Sequence, residues 1–244
     1  MSQSERLRVF KDVHELSQAG ANRFIELASK AIQSTGRFTV SLSGGSTPQA
    51  MYTLLAQAPY RDQVDWGNVV FFWGDERFVP ANHPDSNYRM VLEALISRVP
   101  VAPQNIFPVK TENRTPQDSA VDYENIMREF FGEELPRFDL MLMGLGEDAH
   151  TASLFPFGTA LKESQRWVIE VYAEHLKAHR ITMTLPVLNN ADDTLFLVSG
   201  PSKANALKVV LEGPFEPMQY PAQLIQPRNG QMLFFADEAS TQSR

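Results

Sequence analysis

Apolar and polar positions follow two rhythms along this chain. Short apolar runs recur at Leu7–Phe10, Phe38–Leu42, Val69–Trp73, Phe138–Met143, Trp167–Tyr172, Arg180–Leu185, Thr194–Ser199 and Met232–Phe235. Runs this short, rich in β-branched and aromatic residues, predict strands. Between them the apolar residues recur at helical spacing. Val13, Leu16, Phe24, Ile25, Ala28 and Ile32 place a helix, or two, over Asp12–Ser34, with Gly36 just past the end. A second helix runs to Leu55, with Thr47 as N-cap and Pro48 in its first turn. Tyr88, Val91, Leu92, Leu95 and Ile96 share one face of a helix over Asp85–Val99, and Ile126, Phe130 and Phe131 mark another over Ala120–Phe131. Gly200–Lys203 opens a helix through Leu211. Pro100–Pro116 and Gly213–Pro227 read as irregular, Pro186–Asn190 as a short turn or helix, and the tail after Glu238 as loose.

Strands alternating with helices predict an α/β fold, a mainly parallel sheet with helices on both faces in the Rossmann-like manner. No repeat or linker interrupts the pattern, so residues 1–244 read as a single domain. In such sheets ligands bind beyond the carboxyl ends of the strands. Four polar segments fall at such ends: Ser43–Thr47, the charged loop Asp75–Arg77, Gly144–His150 and Gly200–Lys203.

Each segment has its own chemistry. Ser43-Gly44-Gly45-Ser46-Thr47 joins a strand to a helix through two glycines and three hydroxyls. Glycines admit a close ligand, and the free N–H groups at a helix start attract an anion. The loop lacks both the G-K-[ST] ending and the G-x-G-x-x-G spacing of nucleotide sites, so a single phosphate fits it best. Its alternative is a tight, well-capped turn. Asp75, Glu76 and Arg77 are either a solvated surface turn or a ligand-facing cluster in which Arg77 offers a planar fork of donors. Asp148-x-His150 pairs a carboxylate with an imidazole, and an unperturbed imidazole, titrating near ~6.5, takes and returns a proton at neutral pH. With five histidines, no cysteine and no second histidine close by, His150 does not read as a metal ligand. Neither Ser43 nor Ser153 lies in a G-x-S-x-G elbow, which leaves water as the partner of the histidine. Arg180 and Lys203 are ordinary surface charges singly. On one sheet edge with the Ser43–Thr47 loop they would clamp a phosphate.

Composition narrows the classes. The net charge of −7 and pI near 5.3 exclude a general attraction for nucleic acid, so an anion site must be built locally. The absence of cysteine removes disulfides and thiol chemistry. The polar start, Met1–Val9, is unlike a signal peptide, and no apolar run approaches the ~18–20 residues of a membrane span. The expectation is a soluble cytoplasmic protein, monomeric or a small homo-oligomer.

Several stretches together resemble the 6-phosphogluconolactonase family. They are Ser41–Pro48, Trp73-Gly74-Asp75-Glu76-Arg77-Phe78-Val79-Pro80, Asp85-Ser86-Asn87-Tyr88, Gly144–Pro156, Arg180–Pro186 and Ser199–Ala204, in one order over nearly the whole chain. The resemblance implies a Rossmann-like fold of the deaminase/lactonase type and hydrolysis of 6-phosphogluconolactone. It implies the 6-phosphate on Ser43, Gly44, Gly45, Ser46 and Thr47 with Arg180 and Lys203, and His150 activating water while Asp148 orients it. Arg77 or backbone N–H groups would meet the oxyanion, Asp75 the sugar hydroxyls, and no metal or organic cofactor enters. The run Thr-Ala-Ser-Leu-Phe-Pro after His150 and the Asp75–Pro80 loop point to the lactonases rather than to the glucosamine-6-phosphate deaminases, which share the glycine loop and the Asp-x-His turn. A sugar-phosphate isomerase or deaminase is the alternative on this scaffold. Where the family pattern is Asp-Gly-His this chain has Ala149. If that position has positive φ, alanine is strained there by about 1–2 kcal/mol and could shift His150, and the protein would then be a sugar-phosphate sensor.

Overall fold

The computed structural model describes residues 6–242. Along these the elements are β1 (Leu7–Phe10), α1 (Val13–Thr35), β2 (Phe38–Leu42), α2 (Ser46–Leu55), β3 (Val69–Trp73), β4 (Asp75–Arg77), α3 (Asn87–Ala94), β5 (Ile106–Phe107), α4 (Pro116–Phe131), β6 (Leu140–Met143), β7 (Val168–Ala173), β8 (Ala178–Met183), α5 (Leu185–Leu188), β9 (Asp193–Val198), α6 (Ala204–Glu212), β10 (Gln231–Asp237) and α7 (Glu238–Thr241). Seven strands form one sheet in the order β1-β10-β9-β6-β2-β3-β5, every pair parallel. This is the expected α/β architecture. β2, β3 and β6 are buried along their whole length, which is why β3 and β6 read as unbroken apolar runs, whereas β2 carries Thr39 and Ser41 between its apolar residues.

A second, antiparallel sheet, β4-β8-β7, was not legible in the sequence. The segment expected as a charged loop, Asp75–Arg77, is strand β4, with Asp75 opposite Thr182 and Arg77 opposite Arg180. Three residues are too few for alternation to be seen, and the pairing comes from a partner about a hundred residues away. β5, inside the expected connection Pro100–Pro116, is a two-residue edge strand on β3.

Helix ends differ from the expected ones for local reasons. α1 is one continuous helix, because the Asp12 carboxylate accepts from the N–H groups of His14 and Glu15 and Gly36 closes it at φ +79°. α4 begins at Pro116, earlier than the apolar pattern indicated, because Thr115 and Asp118 form a capping box. α2 begins at Ser46 with Gly45 as N-cap, so Thr47 lies inside the first turn and does not cap it. α3 ends at Ala94, and a 3-10 turn over Ile96–Arg98 takes the rest of the expected helix. Beyond β10, Asp237 accepts from the Ser240 N–H and starts the short helix α7 where a loose tail was expected.

Two buried tyrosines finish the strands that lead to the cleft. Tyr52 Oη accepts from Ser43 N and donates to Ser43 O, and Tyr123 Oη does the same for Trp73. The chain leaves the sheet at both points with its backbone satisfied, which fixes the start of the glycine loop and of β4. No helix among the described residues is long and apolar enough to cross a membrane.

Candidate active site

Beyond the carboxyl ends of β2, β3 and β6 lies a cleft of about 270 Å³. Ser43, Gly44, Gly45, Asp75, Arg77, His150, Arg180 and Lys203 all line it. Ser46 and Thr47 do not, since they enter α2, and Asp148 lies behind His150. Asn87, Ser153, Phe155 and Leu176 also line the cleft and were not among the expected site residues.

The His150 turn is built by its own small bonds. Gly146 N–H donates to His150 O at 2.8 Å, Ala149 N–H to Gly146 O at 3.1 Å, and Thr151 Oγ1 to Gly144 O at 2.8 Å. Asp148 Oδ1 receives the His150 N–H at 3.1 Å and lies 2.5 Å from His150 Nδ1. That contact puts the proton on Nδ1 and leaves Nε2 as the basic nitrogen. Burial acts to raise the Asp148 pKa, but the ring and backbone N–H groups of His150 outweigh it and hold the carboxyl at about 2. The ring packs against Phe155 on one side, centroids 4.8 Å apart, and against Gly146 on another. A Cβ on Gly146 would lie 2.1 Å from His150 Nδ1.

Ala149 has φ +62°, the left-handed conformation in which alanine is strained. His150 nevertheless keeps its contact with Asp148. The side chain of Ala149 is fully buried in the core. The condition that motivated a sensor is therefore met in the backbone, but it leaves the histidine–carboxylate pair in place.

Charge is arranged unevenly around the cleft. Arg77 and Arg180 face each other across β4 and β8. Arg77 Nη1 donates to Asp85 O at 2.7 Å and Arg180 Nη1 to His179 O at 3.1 Å, both neutral carbonyls. Neither arginine, nor Lys203, forms a salt bridge with any described residue. Burial first, and then the charge of Arg77, lower the pKa of Arg180 from its ordinary value. Two guanidinium groups held side by side and unpaired favour an anion between them.

Asp75 faces the cleft already partly engaged. It accepts from Ser153 Oγ at 2.7 Å, and Asn87 Nδ2 donates to its backbone carbonyl at 2.9 Å. Asn87 Oδ1 packs on the Gly44 backbone, where a Cβ would sit 1.9 Å from it, so Gly44 is required by close approach. Asn87 thus ties Asp75 to the glycine loop. Behind it the buried Glu76 carboxylate accepts from the N–H groups of Arg77, Asn87 and Tyr88, each at 2.7 Å. Burial pushes its carboxyl up to about 7 against the pull of those donors. On the far side Asp237 accepts from Ser199 Oγ at 2.5 Å and from Gly200 N, anchoring the turn that carries Lys203. In the sequence Ser153 stands out only as a serine without an elbow, and Asn87 only as part of a motif. No periodicity signals a side chain whose task is to brace another.

Among the described residues no group of three His, Cys, Asp or Glu side chains could hold a metal ion. The chain is similar to proteins already known. Residues 11–234 match the family model described as glucosamine-6-phosphate isomerases/6-phosphogluconolactonase. The 6-phosphogluconolactonase of a Synechocystis strain is 41% identical over 213 residues, 86% of each chain. That of a Nostoc strain is 39% identical over 213 residues, again 86% of each chain. The solved 6-phosphogluconolactonase of Trypanosoma cruzi superposes with a TM-score of 0.86 at 26% identity, covering 98% of this chain and 96% of the other.

Proposed function

Because the chain belongs to the glucosamine-6-phosphate isomerase/6-phosphogluconolactonase family, we propose that it hydrolyses 6-phospho-D-glucono-1,5-lactone to 6-phosphogluconate at this cleft, as a carboxylic-ester hydrolase of the oxidative pentose phosphate pathway. One observation carries the proposal. In a protein of net charge −7, three cations without carboxylate partners, Arg77, Arg180 and Lys203, converge on the cleft lined by His150.

The phosphate sits on Ser43, Gly44 and Gly45, with the unpaired N–H groups of Ser46 and Thr47 at the start of α2 behind them and Arg180 and Lys203 as charged donors. This anchoring places the lactone carbonyl near His150, whose Nε2 takes a proton from water as the oxygen attacks C1. The tetrahedral intermediate carries an oxyanion, which Arg77 stabilises. The C1–ring-oxygen bond then breaks, and the imidazolium returns its proton to the departing oxygen as it becomes the 5-hydroxyl. The acid product ionises at neutral pH. Asp148 holds the Nδ1 proton and stabilises the imidazolium, and Asp75 accepts from a sugar hydroxyl. Water and one acid–base group balance the reaction, so no metal or organic cofactor is called for. The enzyme acts in the cytoplasm, as a monomer or small homo-oligomer, without nucleic acid.

The test is hydrolysis of freshly prepared 6-phosphogluconolactone against its spontaneous rate. Wild type accelerates it, His150→Ala removes the acceleration, and 6-phosphogluconate still binds to His150→Ala. Wild type that binds 6-phosphogluconate without accelerating hydrolysis refutes the proposal and makes the protein a sensor.

A further inference from the structure

The Gly213–Pro227 stretch has no regular partner in either sheet, yet it reaches the catalytic turn. Ala222 N–H donates to Ala149 O at 2.9 Å. Among the described residues this is the only hydrogen bond that enters Gly146–His150 from outside the turn. Its acceptor is the carbonyl between Ala149 and His150, and Ala149 is the left-handed residue. A second bond, Phe157 N–H to Met218 O at 2.7 Å, holds the same stretch shortly before Ala222, and Phe157 is also left-handed, at φ +58°. Strained backbone persists only where its surroundings over-determine it. Around Ala149 these are the turn's own Gly146–His150 closure and the bond from Ala222, and at Phe157 the bond to Met218 of the same irregular segment.

Asn189 holds the segment's far end through Leu224 O and Gln226 N, and one buried side chain of the segment itself ties it to α6. Gln223 is almost fully buried. Its Nε2 donates to Val209 O and to Pro214 O, both at 2.9 Å, and its Oε1 accepts from Glu216 N at 2.8 Å. The carboxamide thus joins the end of α6 to both arms of the segment, next in sequence to Ala222. A buried amide with its donors and acceptor engaged has one low-energy pose, and an apolar replacement takes their partner from the Pro214 carbonyl and the Glu216 N–H and leaves Val209 O with the Gly213 N–H alone.

We propose that Gln223 is a positioning residue for His150, acting through Ala222 and the Ala149 carbonyl, and that the Gly213–Pro227 segment braces the catalytic turn. The inference rests on His150 being the general base of the proposed lactonase. It has no part in phosphate binding, because Gln223 and Ala222 lie outside the cleft.

Gln223→Met keeps the volume and removes the three bonds. Its kcat for the lactone falls by about tenfold, less than the hundredfold expected for a full 1 Å misplacement, while KM moves by less than about twofold. The downfield proton NMR signal of the His150–Asp148 hydrogen bond broadens or disappears. A control, Phe24→Leu, lowers Tm in the core between α1 and β2 and leaves kcat unchanged. A native Gln223→Met with wild-type kcat, or one whose kcat loss is matched by the control at equal Tm, overturns the proposal. Should Gln223→Met not fold, amide exchange in the wild type decides. Ala222 N–H is protected by about a hundredfold or more, and exchange at the unfolded-chain rate overturns the brace. A wild type without lactonase activity refutes the proposed function instead, and the His150 proton signal and the Ala222 exchange still judge the brace.

Discussion

Gly146→Ala isolates the placement of His150 from everything else in the cleft. The added Cβ would lie 2.1 Å from His150 Nδ1, 2.4 Å from Cε1 and 2.7 Å from Asp148 Oδ1. Non-bonded heavy atoms settle near ~3.5 Å, so the ring must retreat by more than about 1 Å. It cannot slide freely, because Phe155 stands against it with centroids 4.8 Å apart. The substitution therefore either tilts the imidazole or breaks its contact with Asp148. A displacement of about 1 Å at a catalytic group lowers the rate on the order of a hundredfold, equivalent to about 2.7 kcal/mol of barrier. The backbone itself accepts alanine, since Gly146 is not in the left-handed region, and alanine restricts the unfolded chain, which offsets part of any packing strain by about 0.4–1 kcal/mol. The signature is thus kcat reduced about a hundredfold, KM near wild type because the three cations are untouched, and a modest change in Tm. The assay is initial-rate hydrolysis of fresh lactone, with melting followed by circular dichroism. A folded Gly146→Ala enzyme with kcat within about threefold of wild type would refute the argument, because it would mean that the observed His150 pose is not the reactive one.

Two further predictions bear on the same turn. Ala149→Gly relieves about 1–2 kcal/mol of left-handed strain, against about 0.8 kcal/mol for a buried methyl and about 0.4–1 kcal/mol of added unfolded-state freedom; stability stays within about 1 kcal/mol of wild type by chemical denaturation and kcat is unchanged, whereas a tenfold gain would show that alanine displaces His150. The Asp148 carboxyl, lowered from 3.8 to about 2, binds fewer protons folded than unfolded between those values, so its stabilisation is present above about pH 4 and is lost as pH falls toward 2. The side chain is 41% exposed, and solvent screening reduces its worth to about 1 kcal/mol. The stability gap between wild type and Asp148→Asn, followed by urea melts, narrows by that amount over this window, and a gap independent of pH would refute the pairing.

The parallel sheet is written in the sequence, because strands buried on both faces read as unbroken apolar runs, as in Val69–Trp73 and Leu140–Met143. The ligand edge is written there too, because in a parallel sheet every strand's carboxyl end faces the same way, so Ser43, Asp75, Gly144 and Gly200 had to gather. Most of the expected site residues line one cleft for that reason. Contacts distant in the chain set the rest. Strand β4 exists only through its pairing with β8, which also sets Arg77 beside Arg180. Asn87, Ser153, Glu76 and Gln223 take their tasks from atoms that only folding brings to them, and no local pattern encodes such a contact. The sign of φ at Ala149 was likewise beyond the sequence, because alanine carries no marker for the left-handed region. Closure of the turn by Gly146 and His150, together with the bond from Ala222, holds it there.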